Sequence, residues 1–296
     1  MKAPLIVFAL ILSVPFGACQ PSDPAASPRT AASPAQTISD AGTSRPAPYR
    51  FDQPAAVFTL PPDLREISAL TVLDGRHLGA VEDETGTLYL LDVGTGEIAA
   101  VMPFGSPGDY EGVELASGRL FVLRSDGTLF EVEGWEGGDT RLRTHATGLG
   151  PDCDAEGLGY DAARARLLIA CKEDGIGDQK AVYAFDLTRD TFTPEPAFVI
   201  DPDAVPGRKK LKPSAVAVHP VTGETVVLSS KRKALVALTP GGTVADVWSI
   251  EAAGFEQPEA LAFLPNGDLF VASEGDDGPP VLVRFSYEGL AHEGTR

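Results

Sequence analysis

The chain has 296 residues, with 24 Lys and Arg against 42 Asp and Glu and a formal net charge of −18. So acidic a balance argues against nucleic acid, whose phosphates need clustered Lys and Arg, and against electrostatic adsorption to anionic lipid. Beyond the N-terminal run, no stretch approaches the roughly 20 apolar residues of a membrane-spanning helix.

Residues 1–18 read as a lipoprotein signal peptide. Lys2 supplies a positive start, and Leu5 to Val14 form an apolar run of about ten residues, the length of a signal-peptide core. Phe16-Gly17-Ala18-Cys19 resembles a lipobox, in which small residues precede a cysteine that receives a diacylglyceryl group; Phe16 departs from the usual Leu. Gln20 follows, where an Asp would point to inner-membrane retention, so the expected address is the outer membrane facing the periplasm. Residues 19–49 comprise lipidated Cys19 and a Pro/Ala/Ser/Thr-rich tether without apolar periodicity, which cannot bury enough surface to offset chain entropy. Residues 50–296 then form the folded domain.

Internal repetition dominates that domain. A short unit recurs at Ser68-Ala69-Leu70, Glu111-Gly112-Val113, Glu156-Gly157-Leu158, Ser214-Ala215-Val216 and Glu259-Ala260-Leu261, at spacings of 43, 45, 58 and 45 residues. Each unit opens an apolar strand. Second strands follow at His77–Val81, Leu120–Leu123, Leu167–Ala170, Thr225–Leu228 and Leu269–Ala272, and third strands at Thr87–Leu91, Thr128–Val132, Ala181–Phe185, Ala234–Leu238 and Val281–Phe285. Four repeats add a fourth strand, at Ile98–Met102, Arg141–Ala146, Ala197–Ile200 and Val244–Ile250. Asp126-Gly127, Gly241-Gly242 and Asn266-Gly267 supply the tight turns between them. Short strands, hairpin turns and a fixed period predict an all-β, five-bladed β-propeller.

The fifth repeat runs out after three strands, and Ala55–Leu60 reads as its missing fourth, so the last blade is closed by an N-terminal strand that removes an exposed edge. A sixth blade would have to hide in the long third repeat, whose excess of 13 residues is too short for four strands. In that repeat a hairpin centred near Ala162-Ala163 sets Cys153 opposite Cys171, and an oxidising periplasm would join them as a disulfide.

These repeats resemble the SdiA-regulated, or YjiK-like, family of bacterial envelope propellers, which is distantly NHL-repeat-like. The resemblance is carried by Ile67-Ser68-Ala69-Leu70, Tyr110-Glu111-Gly112-Val113-Glu114, Ala155-Glu156-Gly157-Leu158-Gly159-Tyr160-Asp161, Lys212-Pro213-Ser214-Ala215-Val216 and Pro258-Glu259-Ala260-Leu261. It covers roughly residues 54–288. It implies a five-bladed ring, a calcium site and a role in protein interactions, without an established enzyme activity. Ala215 and Ala260 stand where the family frequently has Gly.

In a propeller the first strand of each blade lines the central channel, so Ser68, Glu111, Glu156, Ser214 and Glu259 should converge around the axis. Three carboxylates in one narrow channel repel unless a cation intervenes, and calcium accepts six to eight oxygens in a flexible shell. Glu111, Glu156 and Glu259 are the expected ligands, with Asp109 and Asp154 at the rim and Glu66 in the equivalent place of the first blade. Asp152 to Gly157 mimics the start of an EF-hand loop, but Ala163 occupies the place of its bidentate Glu. Zinc-protease and nucleophile-elbow motifs are lacking, and the Ser230 to Lys233 spacing falls in a turn. Lys209, Lys210, Lys231, Arg232 and Lys233 form a local basic patch suited to an acidic partner. The expected function is therefore a membrane-anchored, calcium-binding interaction module for an envelope protein or glycan. The alternative is a calcium-dependent propeller hydrolase of lactonase, phosphoesterase or glycosidase type using the channel carboxylates.

Overall fold

The computed structural model describes residues 45–137, 139–150, 152–173, 179–207 and 210–289; the expected signal peptide, Cys19 and residues 20–44 of the expected tether lie outside them. Twenty strands form five antiparallel four-stranded sheets among these residues. Blade 1 runs β2 (Ile67–Val72), β3 (His77–Glu82), β4 (Thr87–Asp92) and β5 (Ile98–Pro103). Blade 2 runs β6 (Tyr110–Ala116), β7 (Arg119–Arg124), β8 (Leu129–Glu133) and β9 (Arg141–His145). Blade 3 runs β10 (Ala155–Asp161), β11 (Arg166–Cys171), β12 (Lys180–Asp186) and β13 (Thr191–Ile200). Blade 4 runs β14 (Pro213–Val218), β15 (Thr225–Ser229), β16 (Ala234–Leu238) and β17 (Val244–Ser249). Blade 5 takes β18 (Gln257–Phe263), β19 (Leu269–Glu274) and β20 (Val281–Phe285), and is completed by β1 (Ala56–Thr59) from the other end of the chain. The domain is an all-β, five-bladed β-propeller.

Closure rests on the ladder between β1 and β20, with Val57 opposite Val283 and Phe58 opposite Leu282. Ala55 N–H donates to Arg284 O and Leu60 N–H to Pro280 O, both at 2.8 Å, carrying the seam past the strand ends. The apolar residues fall into five clusters, one between each pair of adjacent blades. Middle strands are thus covered on both faces, which explains why β15 and β16 are buried along their whole length and read as continuous apolar runs.

Three local readings are corrected. The fourth strand of blade 3 begins at Thr191, six residues before its expected start, because a register shift opposite Val182 and Ala184 lets the long strand keep pairing. That extension, with a 3-10 turn at Pro202–Ala204, absorbs most of the extra length of the third repeat. Packing also begins inside the expected tether: Tyr49 is 3% exposed, its hydroxyl donates to Gly267 O at 2.8 Å, and Arg45 pairs with Asp246 and Glu224. Finally, Cys153 and Cys171 are bonded to each other with Cα atoms 4.8 Å apart, yet they are not opposite one another. Ala155 faces Cys171, because the 3-10 turn at Ala162–Arg164 sets Asp161 opposite Arg166, later than the expected turn centre; the bulge at Glu156 recovers one residue of that offset, and Cys153 reaches its partner diagonally.

A chain beginning at residue 44 should melt with the cooperativity and midpoint of the full-length protein. One beginning at Pro61 loses Tyr49, Phe51 and Leu60, each a buried side chain worth roughly 2–5 kcal/mol, against a typical domain stability of about 5–15 kcal/mol. It should show no cooperative transition by circular dichroism.

Candidate functional site

The innermost strand of every blade carries an irregularity at the same step. Pairing with the second strand skips from Ile67 to Ala69, Tyr110 to Gly112, Ala155 to Gly157, Pro213 to Ala215 and Pro258 to Ala260. The residues left out of the ladder are Ser68, Glu111, Glu156, Ser214 and Glu259, the five repeat-equivalent positions singled out from sequence. A bulged residue leaves the ladder and its side chain is re-aimed. The following residue is Gly in blades 2 and 3 because the next blade presses there: a Cβ on Gly112 would lie 2.6 Å from Leu158 Cβ, and one on Gly157 2.9 Å from Val216 N. Ala69, Ala215 and Ala260 fill that place elsewhere, and the bulge forms with a methyl group present.

The two hydroxyls and three carboxylates at the bulges behave differently. Ser68 Oγ donates to Tyr110 O at 2.6 Å and Ser214 Oγ to Pro258 O at 3.4 Å, each tying its blade to the next. Burial pushes the Glu111 carboxyl well above its ordinary range, and the negative charges of Glu156 and Asp109 push further in the same direction. Burial also raises Glu156, against the pull of Lys172, whose Nζ lies 2.6 Å from Glu156 Oε1. Glu259 is raised by burial despite Lys172 and hydrogen bonds with Ser214, Ser230 and Gln257, and its Oε2 is buried without a hydrogen-bond partner.

A second set of repeat-equivalent residues surrounds the first. Each lies one step beyond the second-strand residue paired just before the bulge: Asp83, Ser125, Lys172, Ser230 and Glu274. Ser125 Oγ bonds Asp109, Lys172 bonds Glu156 and Ser230 bonds Glu259. Burial, then Glu259 and Asp83, lift Glu274 to about 7; burial, then Glu66 and Asp109, lift Asp83 to about 6. Lys172 answers this acid excess: burial works against its charge, but Glu156 and then Glu259 and Asp154 hold its pKa above the ordinary lysine value. None of Asp83, Lys172 and Glu274 was singled out from sequence; the available signal was their constant step after the second strand.

The remaining expected ligands sit at the rim. Asp109 is exposed and shares a hydrogen bond with Glu111, while Asp154 is half-buried at a positive φ of 48° and accepts Lys172 N–H on its carbonyl at 2.9 Å. The structure therefore brings Glu156 within electrostatic reach of both Glu111 and Glu259. Among the described residues, however, no three His, Cys, Asp or Glu side chains are grouped as a metal-ligand set.

Next to Glu259, through Ser230 and Gln257, lies a cleft of about 460 Å³ lined also by Lys210, Lys212, Lys231, Lys233 and Glu256. Lys212 pairs with Glu173, and Lys233 Nζ donates to Phe255 O at 2.6 Å. Arg232 turns away to the carbonyls of Val205 and Pro206 at 2.8 and 2.7 Å, and Lys209 lies outside the described residues.

A family model described as SdiA-regulated matches residues 59–286. Curated proteins give no match. Among solved structures, the glutaminyl cyclase of Myxococcus xanthus is similar with a TM-score of 0.58 at 16% identity, over 79% of this chain and 95% of that one. A PQQ-bound aldose sugar dehydrogenase from Streptomyces coelicolor follows at a TM-score of 0.48 and 14% identity, over 79% and 99% of the two chains. At such identities the likeness is one of fold.

The raised carboxyls fix the sign of a pH dependence. Between the unfolded carboxylate range near 4 and their folded values of about 6 and 7, Asp83 and Glu274 hold more protons folded than unfolded, so stability is lost as pH rises through that window. Asp126 and Glu131, held down to about 2 by Arg124 and Arg119, act oppositely and lose stability as pH falls from near 4 toward 2. Melting temperature should peak around pH 4. Glu111→Gln, which removes the cost of protonating a buried carboxyl that is ionised in the unfolded chain, should raise it at pH 8 by about 2–4 °C and leave it unchanged at pH 4, read by differential scanning fluorimetry.

Proposed function

The chain belongs to the SdiA-regulated family, and we propose that its propeller is a recognition module of the bacterial cell envelope, anchored through a lipid on Cys19, whose acidic channel mouth takes a calcium ion. The observation that carries this reading is the crowding of Glu111, Glu156 and Glu259 at equivalent bulges, with Glu259 Oε2 buried and unpartnered. The donor chemistry fits: carboxylate and carbonyl oxygens are hard ligands, and calcium accepts an irregular shell completed by water. Glu111, Glu156 and Glu259 would hold the ion, Asp109 and Asp154 would add acceptors at the rim, and Lys172 would give up its hold on Glu156. The lysine cleft beside Glu259 suits an acidic group on an envelope protein or glycan. The membrane enters only through the lipid, at the outer membrane facing the periplasm.

A second reading has one observation in its favour. Neighbouring Glu111 and Glu156 are both raised, but Lys172 hydrogen-bonds Glu156 and acts on Glu111 only through its charge, and carboxyls pushed apart in this way form an acid and base pair. That would make the mouth a calcium-dependent hydrolase site of lactonase, phosphoesterase or glycosidase type.

Chelator-stripped protein titrated with calcium should show a saturable rise in melting temperature, reversed by chelation and abolished in Glu259→Gln. An unchanged melting temperature at millimolar calcium overturns the metal assignment, and turnover of lactone, phosphoester or glycoside substrates lost in Glu111→Gln would favour the second reading. Expressed in bacteria with its own leader, the protein should sediment with outer membranes. Cys19→Ser should shift it to the soluble periplasmic fraction; a wild-type chain already soluble would refute the anchor.

A further inference from the structure

The other ends of the inner strands enclose a cavity of about 860 Å³ to which all five blades contribute, away from the bulges. Its size lies within the roughly 300–1,000 Å³ of small-molecule pockets, and its walls are mainly apolar, with Leu70, Leu115, Val218, Leu261 and Phe263 among them. Four charged or titratable groups in the wall are already matched. Asp161 pairs with Arg164 at 3.1 Å and Arg166 at 2.9 Å. Arg164 also donates to Pro240 O at 3.3 Å. His219 Nδ1 accepts the N–H groups of Val221 and Thr222 at 3.2 and 3.1 Å, its Nε2 meets Tyr49 Oη at 2.9 Å, and burial lowers its pKa, so it is neutral. Tyr160 Oη bonds Ser117 Oγ at 2.7 Å.

Glu114 on β6 is the exception. Its Oε1 accepts Thr71 Oγ1–H at 2.9 Å, and the backbone amides of Leu115 and Tyr160 also favour its charged form. No ion pair to it occurs among the described residues, and burial lifts its pKa to about 8 in spite of the three donors. An acid in an apolar wall without a counter-ion is matched by a ligand that brings one. We propose that this far mouth is a small-molecule site for an apolar primary or secondary amine, whose ammonium pairs with Glu114 while its hydrocarbon body fills the funnel. The site is independent of the bulged mouth and needs neither calcium nor an anchored protein. An alkylammonium titrates near 10, like Lys. Binding it at neutral pH therefore expels the proton from Glu114, and affinity climbs by up to about tenfold per unit from pH 6 to 8, then levels until the amine itself deprotonates.

The test is isothermal titration of the full-length protein with n-hexylamine and with 1-hexanol, at pH 6, 7 and 8 in buffers of different ionisation enthalpy. Hexylamine should bind saturably, about tenfold or more above hexanol at pH 8, with proton release at pH 7 and a loss of similar size in Glu114→Gln. Val218→Trp, which fills the funnel and leaves Glu114 in place, should weaken hexylamine while the thermal transition stays intact; it serves as the deciding variant should Glu114→Gln fail to fold. Equal affinities for the two probes, pH-independent binding, binding unaltered by both substitutions, or no saturable binding at millimolar concentration would each overturn the proposal.

Discussion

One residue per inner strand is left out of the β-ladder, at the same step in every blade, and the chemistry of the channel follows from that. A regular ladder would alternate side chains between the two faces of each sheet, where the inter-blade cores wait for apolar groups. The bulge breaks the alternation once per blade and frees five polar side chains from those cores. Two are serines, which satisfy themselves on the next blade's carbonyls. Three are glutamates, and these cannot: burial raises all three, and neighbouring carboxylates raise Glu111 and Glu156 further. Inter-blade contact supplies the geometry, since Tyr110 N–H donates to Asp83 O and Ala155 N–H to Ser125 O, linking one blade's inner strand to the preceding blade at this level.

How much of this was legible in the sequence depends on what each feature is made of. The blades were legible because both faces of each sheet are covered, so middle strands become unbroken apolar runs separated by turn residues. The bulged residues were legible as a repeat, without any knowledge that they bulge. The pairing around Cys171 was misplaced for another reason: the 3-10 turn at Ala162–Arg164 holds Asp161 opposite Arg166, so the hairpin is centred later than its small residues suggest. Asp83, Lys172 and Glu274 were invisible for a different reason. The step that unites them holds acid, hydroxyl, base, hydroxyl and acid in turn, so no residue type recurs to betray it. Residues 45–49 have the composition of the tether before them, and only the placement of Tyr49 against Gly267 and His219 makes them part of the fold.

The two mouths of the channel contrast in their electrostatics. At the bulged mouth, acids from two sets of equivalent positions share one lysine, and the surplus negative charge belongs to no single residue. At the other mouth a lone carboxyl sits in an apolar wall whose remaining charges are paired. Glu114 would pass in sequence for an ordinary outward-facing residue of an alternating strand. Its distinction comes from the funnel shape formed by all five blades, which no local pattern encodes.

Lys172 has a consequence for the proposed cation site. Its ammonium is covalently held beside Glu156, so it competes with any dissolved cation at an effective concentration on the millimolar scale or above. Sodium or potassium, carrying the same single charge, gains little by displacing it. If the mouth takes a cation as proposed, an ion must bring more charge per site to win the exchange, and the tethered ammonium would act as a threshold that filters by valence.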